Sequence, residues 1–199
     1  VCFSATASFA AGTVLSAGGV ATMATAPRWS DLPFAAIPLL FGVQQLVEGG
    51  VWLSFGSRAQ TANEVLTYVY AVLALVFWPI FIPWAIRSME PEAQRRRLLL
   101  ACQVAGLAVG GYLLYAHTAS AVSSRVVDDS IVYANSHFFG YWIVSLYFVA
   151  TIGSSLLSSS RRVQLFGGLV FLGAALAYGI WAAAFVSVRC FFAARWSAR

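Results

Sequence analysis

The chain has 199 residues, 60% hydrophobic and only 10% charged, against roughly 25% charged in an ordinary soluble domain. All twelve basic residues are Arg, which excludes a retinal Schiff base, a P-loop lysine and a lysine nucleophile. The formal charge of +5 would suggest nucleic acid in a soluble protein. Here the arginines cluster at the ends of apolar runs, where they orient a chain in a bilayer, so the expected partner is lipid and not nucleic acid.

A spanning helix needs ~20 apolar residues, and six stretches of 19 to 26 residues qualify. The expected fold is therefore an all-α integral membrane bundle of six transmembrane helices, a single domain over residues 1–199. The first span, 5–26, is too long for a signal-peptide core and has no positive segment before it, so it reads as a retained helix. Pro27 to Asp31 breaks the pattern, and the second span, 32–55, carries Pro33 in its first turn, where a missing N–H costs little. The third, 65–86, has Pro79 and Pro83 near its end, which predicts a kink or loosening there. Arg87 to Arg97 reads as the most polar loop. Span four, 98–116, carries Gly106 and Gly110, a small-xxx-small pair that admits a close helix neighbour. His117 to Asn135 is the longest connection and reads as an interfacial segment or a short surface helix. Spans five and six, 136–157 and 163–188, are followed by a basic, aromatic tail.

Alternate connections receive unequal numbers of arginines. Arg28, Arg87, Arg95 to Arg97, Arg161 and Arg162 fall on one side, and Arg58, Arg125, Arg189, Arg195 and Arg199 on the other. The positive-inside rule makes the first side cytoplasmic and puts both termini outside.

That topology gathers polar residues toward the outer half. Glu48 lies ~10 Å below the outer end of span two at 1.5 Å per residue. An intramembrane carboxylate costs ~3 kcal/mol on insertion scales and usually faces the bundle interior or a water-filled cavity. Gln44, Glu48 and Trp52 are spaced four apart and form one stripe, with Gln45 on its flank. This stripe reads either as interhelical glue or as a ligand or proton site, with His137 the first candidate partner of Glu48 and Tyr112 or Tyr115 the next. His117 and His137 also read as interfacial or capping histidines. Cys102 reads as a small buried hydrophobe. Cys2 and Cys190 share the outer side, which allows a disulfide, two unrelated thiols, or a thiolate and imidazole metal site with His137. No C-x-x-C, H-x-x-x-H or H-E-x-x-H motif occurs, so metal and cofactor stay unknown. No G-x-S-x-G elbow is present either.

The opening Cys2-Phe3-Ser4-Ala5-Thr6-Ala7-Ser8-Phe9, the stretch Leu32 to Trp52 with Gln44-Gln45 and Glu48-Gly49, and the late Cys190-Phe191-Phe192-Ala193-Ala194 together resemble a bacterial family of small integral membrane proteins of unknown function. The resemblance implies a polytopic bundle. Three function classes stay open. The favoured one is a non-enzymatic membrane protein, such as an accessory subunit packing on other membrane subunits or a homo-oligomer through small-residue and aromatic faces. The others are a metal- or cofactor-binding protein or enzyme with an outer-half site, and a transporter or proton path centred on Glu48. Enzymatic activity is left undecided.

Overall fold

The computed structural model describes residues 4–56, 59–120, 122–127, 130–134 and 140–176. Helix α1 covers Ala5–Ala24, and a 3₁₀ turn, Trp29–Asp31, leads into the short α2, Leu32–Ala35, and α3, Ile37–Gly56. Helix α4, Gln60–Ala71, runs through a π-turn, Val72–Phe77, into α5, Trp78–Met89. Then come α6, Ala93–Ala119, strands β1, Ser123–Val127, and β2, Ser130–Ala134, and α7, Tyr141–Phe148. A second π-turn, Val149–Gly153, joins α7 to α8, Ser154–Leu157, and residues 161–176 form α9. The described residues are all-α apart from the one hairpin.

Four helical stretches are long and apolar enough to cross a membrane: Ala5–Ala24, Trp29–Phe55, Gln60–Met89 and Ala93–Ala119. The expected fifth span is a shorter apolar helix, Tyr141–Leu157, entered through Gly140 in an extended conformation. The expected sixth is described only as α9. Among the described residues the count of full-length spans is thus four, where six were expected.

Small residues set the helix spacing. Ser8, Gly12 and Gly19 are the buried residues of α1. A Cβ at Gly19 would run into the Leu39 backbone, and one at Gly42 would run into Ser16. Helices α1 and α3 therefore cross at backbone contact distance. On the other side of the bundle Gly106 of α6 meets the Pro79 carbonyl, which an added Cβ would overlap. The reason lies four residues on: Pro83 sits inside α5 and has no N–H to give that carbonyl, so the freed oxygen turns against the bare Cα of Gly106, a weak C–H···O contact. The core sits between these crossings, with Ile37, Trp78, Ile82, Ile86, Leu99 and Val163 packed together.

The loosening expected near the prolines takes the form of a π-turn: the helix widens ahead of Pro79, and α5 then continues through Pro83, because a widened turn is how a helix accommodates a proline ring without breaking. Two expectations change. The polar loop shrinks to Glu90, Pro91 and Glu92, since Pro91 holds Glu90 extended while Arg87 lies in the last turn of α5 and Arg95 to Arg97 sit in the first turns of α6. The connection after α6 is a β-hairpin and not a surface helix. Its β-branched Val126, Val127, Ile131 and Val132 flank a two-residue link in the register Val127↔Ser130, a strand-turn-strand pattern.

The arginine-rich connections meet at one end. Ser88 Oγ donates to the Ser30 carbonyl at 3.0 Å. Glu90 Oε2 accepts from the Ser159 N–H at 2.8 Å and from Ser158 Oγ at 3.2 Å. Arg95 Nη1 donates to the Leu157 and Ser158 carbonyls, each at 3.2 Å. Burial pushes the Glu90 carboxyl up, but the hydrogen bonds from Ser159, Glu92 and Ser158 outweigh it and hold the group below its ordinary range.

Candidate functional site

The inward stripe of α3 is the one the sequence marks. Gln44 is 7% exposed and Glu48 3%, while Trp52 is half-buried and meets the Phe55 ring edge-on at 6.4 Å. Gln45, on the flank, is also half-buried.

Gln44 joins α3 to α5. Trp78 Nε1 donates to Gln44 Oε1 at 2.7 Å, and the Trp78 ring stacks on Phe41, one turn earlier in α3, at 4.0 Å. Indole N–H is only a donor, so the amide must turn its oxygen toward Trp78. Gln44 Nε2 then has no partner among the described residues. The oxygen of this side chain is thus committed to α5, and its amide nitrogen is left over.

Gln44 and Trp78 form one wall of a partly open cavity of about 310 Å³ lined by α3, α5, α7, α8, α9 and the two π-turns. The opposite wall is built by Tyr147, Thr151 and Ser155, which the wide turn at Val149–Gly153 brings into line. Their hydroxyls are directed to backbone: Tyr147 Oη to the Ala74 carbonyl at 2.9 Å, Thr151 Oγ1 to Tyr147 at 2.8 Å, and Ser155 Oγ to Thr151 at 3.0 Å. Ala74 lies in the first π-turn, five residues before Pro79, so Tyr147 supplies a donor where the proline cannot. The remaining lining, including Ile82, Ile152 and Phe166, is apolar. Mostly apolar walls with a few fixed polar groups are the usual make-up of a small-molecule site, in a volume at the lower end of the ordinary range.

Glu48 lies one turn beyond Gln44, and its Oε2 is buried with no hydrogen-bond partner among the described residues. The expected tyrosine partners are turned away: Tyr112 is 44% and Tyr115 71% exposed, because α6 gives its inner face to Val109, Leu113 and the two glycines. His137, Cys2 and Cys190 lie outside the described residues, and with them the disulfide and thiolate-metal possibilities. Among the described residues no three of His, Cys, Asp and Glu gather as a metal site. His117 is buried at the end of α6, Nδ1 2.5 Å from the Leu113 carbonyl, and Cys102 is buried with a free thiol.

Sequence reasoning missed Trp78, Tyr147, Thr151 and Ser155. The last three repeat every fourth residue through an apolar run, the same signal that marked Gln44 and Glu48, and could have been read the same way.

No curated protein and no solved structure matches the chain. A family profile matches residues 1–198, nearly the whole sequence, so the chain belongs to the family of unknown function DUF6629.

Proposed function

We propose that this is a non-enzymatic, six-span protein of the bacterial inner membrane that holds a small, largely apolar molecule carrying a hydrogen-bond acceptor in the cavity between α3, α5 and α7. The supporting observation is the Gln44 amide. Trp78 takes its oxygen, and the leftover Nε2 donor on an apolar cavity wall suits a carbonyl or ether oxygen. The arginine-rich end is cytoplasmic in this reading, with both termini outside.

An accessory-subunit role through small-residue and aromatic faces loses Gly106 and Gly110, which are filled by Pro79 and Ile80 of the same chain, and keeps Gly18, Gly111, Gly168 and Gly173, which meet nothing within 4 Å. The Gln44 donor is the observation that favours ligand binding over it. A second reading, a proton or cation path at Glu48, is favoured by its unpartnered Oε2. It has little continuation, because the other buried acidic residues among the described ones, Asp31 and Glu90, belong to the arginine-rich end.

The test uses protein stripped of native lipid in detergent, to which fractions of a membrane extract are added back while thermal unfolding is followed. One fraction should raise the melting temperature of wild type, since a ligand at a hundredfold its Kd adds ~2.7 kcal/mol. It should do nothing for Ala174→Phe, which fills the cavity from α9. Fractions that act equally on both proteins, or on neither, would refute the proposal.

A further inference from the structure

A second, larger cavity of about 690 Å³ lies at the arginine-rich end, between the end of α1, α2, the start of α3 and the start of α9. Its charged lining residues are Arg28, Asp31, Arg161 and Arg162. Asp31 is committed to Arg28, accepting from Nε at 3.1 Å and from Nη2 at 3.2 Å. Arg161 and Arg162 are exposed and have no partner among the described residues. The cavity therefore presents two uncompensated positive charges. Deeper in, the wall is apolar: Phe34 and Phe166 meet edge-to-face at 5.5 Å, beside Ile37 and Val163.

We propose that this cavity is a binding site for one anionic phospholipid, its phosphate held by Arg161 and Arg162 and the upper part of an acyl chain lying against Phe34 and Phe166. Charge complementarity points to the headgroup, because guanidinium groups bind phosphate oxygens in paired, directed hydrogen bonds. The apolar floor points to a lipid over a free anion, which would leave those rings in contact with water. Position agrees. The wall made by Thr22 of α1 and by Thr25 and Ala26 just past its end continues a helix whose buried residues are Ser8, Gly12 and Gly19, so most of its surface is outward. Arginine-rich ends of membrane helices sit at headgroup level. This site is separate from the one around Gln44, and either can fail without the other.

The experiment is native mass spectrometry of the full chain in mild detergent, titrated with an equimolar mixture of phosphatidylglycerol and phosphatidylcholine. Wild type should retain phosphatidylglycerol preferentially. The double variant R161Q/R162Q should weaken that binding roughly ten- to thirtyfold, the scale of losing charge-assisted hydrogen bonds to one phosphate. Ala26→Phe, which narrows the cavity without changing charge, should weaken it as well. R96Q/R97Q removes the same charge from the same end but away from the cavity, and should change binding less than about threefold, because exposed charges that do not touch the lipid are screened by salt. Equal retention of the two lipids would overturn the proposal, as would equal losses in the two arginine double variants, which would mean diffuse surface attraction. Inorganic phosphate binding to wild type as tightly as phosphatidylglycerol does would also overturn it, by making a free anion the ligand. Circular dichroism checks that each variant folds; if the R161Q/R162Q double variant does not, Ala26→Phe and the single arginine variants decide.

Discussion

Two neighbouring polar residues of α3, Gln44 and Glu48, have opposite situations in the same stripe. Gln44 is anchored by Trp78 and keeps one amide donor over, whereas Glu48 has an oxygen sealed in the bundle with no described partner. A buried polar group left unsatisfied costs about 1–3 kcal/mol. Glu48→Leu should therefore leave thermal stability in detergent unchanged or raise it by about that amount, and a comparable drop would reveal a partner for the carboxylate. Glu90 is the contrasting case, an acidic group whose hydrogen bonds hold its carboxyl below the ordinary value of 4.5. The stabilisation this gives is full above pH 4.5 and fades as pH falls through the lowered folded value. Glu90→Gln should flatten the acid side of the stability profile; an unchanged profile would show that Ser158 and Ser159 contribute nothing through this group. The sequence made Glu48 legible because a charge in an apolar run is conspicuous. It left Trp78 unread, because an aromatic in a hydrophobic span carries no such contrast, and the hydrogen bond that gives it meaning is set by packing between α3 and α5.

Helix pairing depends on which glycines face a neighbour, and spacing alone does not say. Gly106 touches the Pro79 carbonyl, while a Cβ added at Gly111 would meet nothing within 4 Å. Gly106→Ala should accordingly destabilise the bundle by about 1–3 kcal/mol or more, or prevent it from assembling, since backbone would have to move. Gly111→Ala should be neutral or stabilising by up to ~1 kcal/mol through helix propensity. Thermal unfolding of the two variants side by side checks this, and equal effects would contradict the close crossing of α5 and α6. Hydropathy gave away the existence of α1, α3, the α4 to α5 helix and α6, because each must satisfy its backbone internally in lipid. It could not show the widened turns ahead of Trp78 and Ser154, which answer to proline chemistry and to packing. The hairpin was written in Val126, Val127, Ile131 and Val132, but its two short strands are easily lost among long helices.

The connections bearing Arg28, Arg87, Arg95 and Arg161 meet at one end of the molecule, joined by Ser30, Ser88, Glu90 and Ser158. If that end is cytoplasmic, a cysteine placed at Ser159 in an otherwise cysteine-free chain should resist an impermeant thiol reagent in intact cells. Labelling there would invert the topology. The two cavities then fall at different depths, one against the arginine-rich end and one within the bundle around Gln44. The small apolar ligand proposed above belongs to the inner cavity, and the phospholipid to the cavity at the arginine-rich end. Its most direct test is the intact mass of wild-type protein released from mild detergent, compared with Ala174→Phe. Wild type should carry a defined excess mass, smaller than a phospholipid and missing from the variant. Wild type at the polypeptide mass alone, with or without a bound phospholipid, or an identical excess smaller than a phospholipid on both proteins, would contradict a ligand held against Gln44.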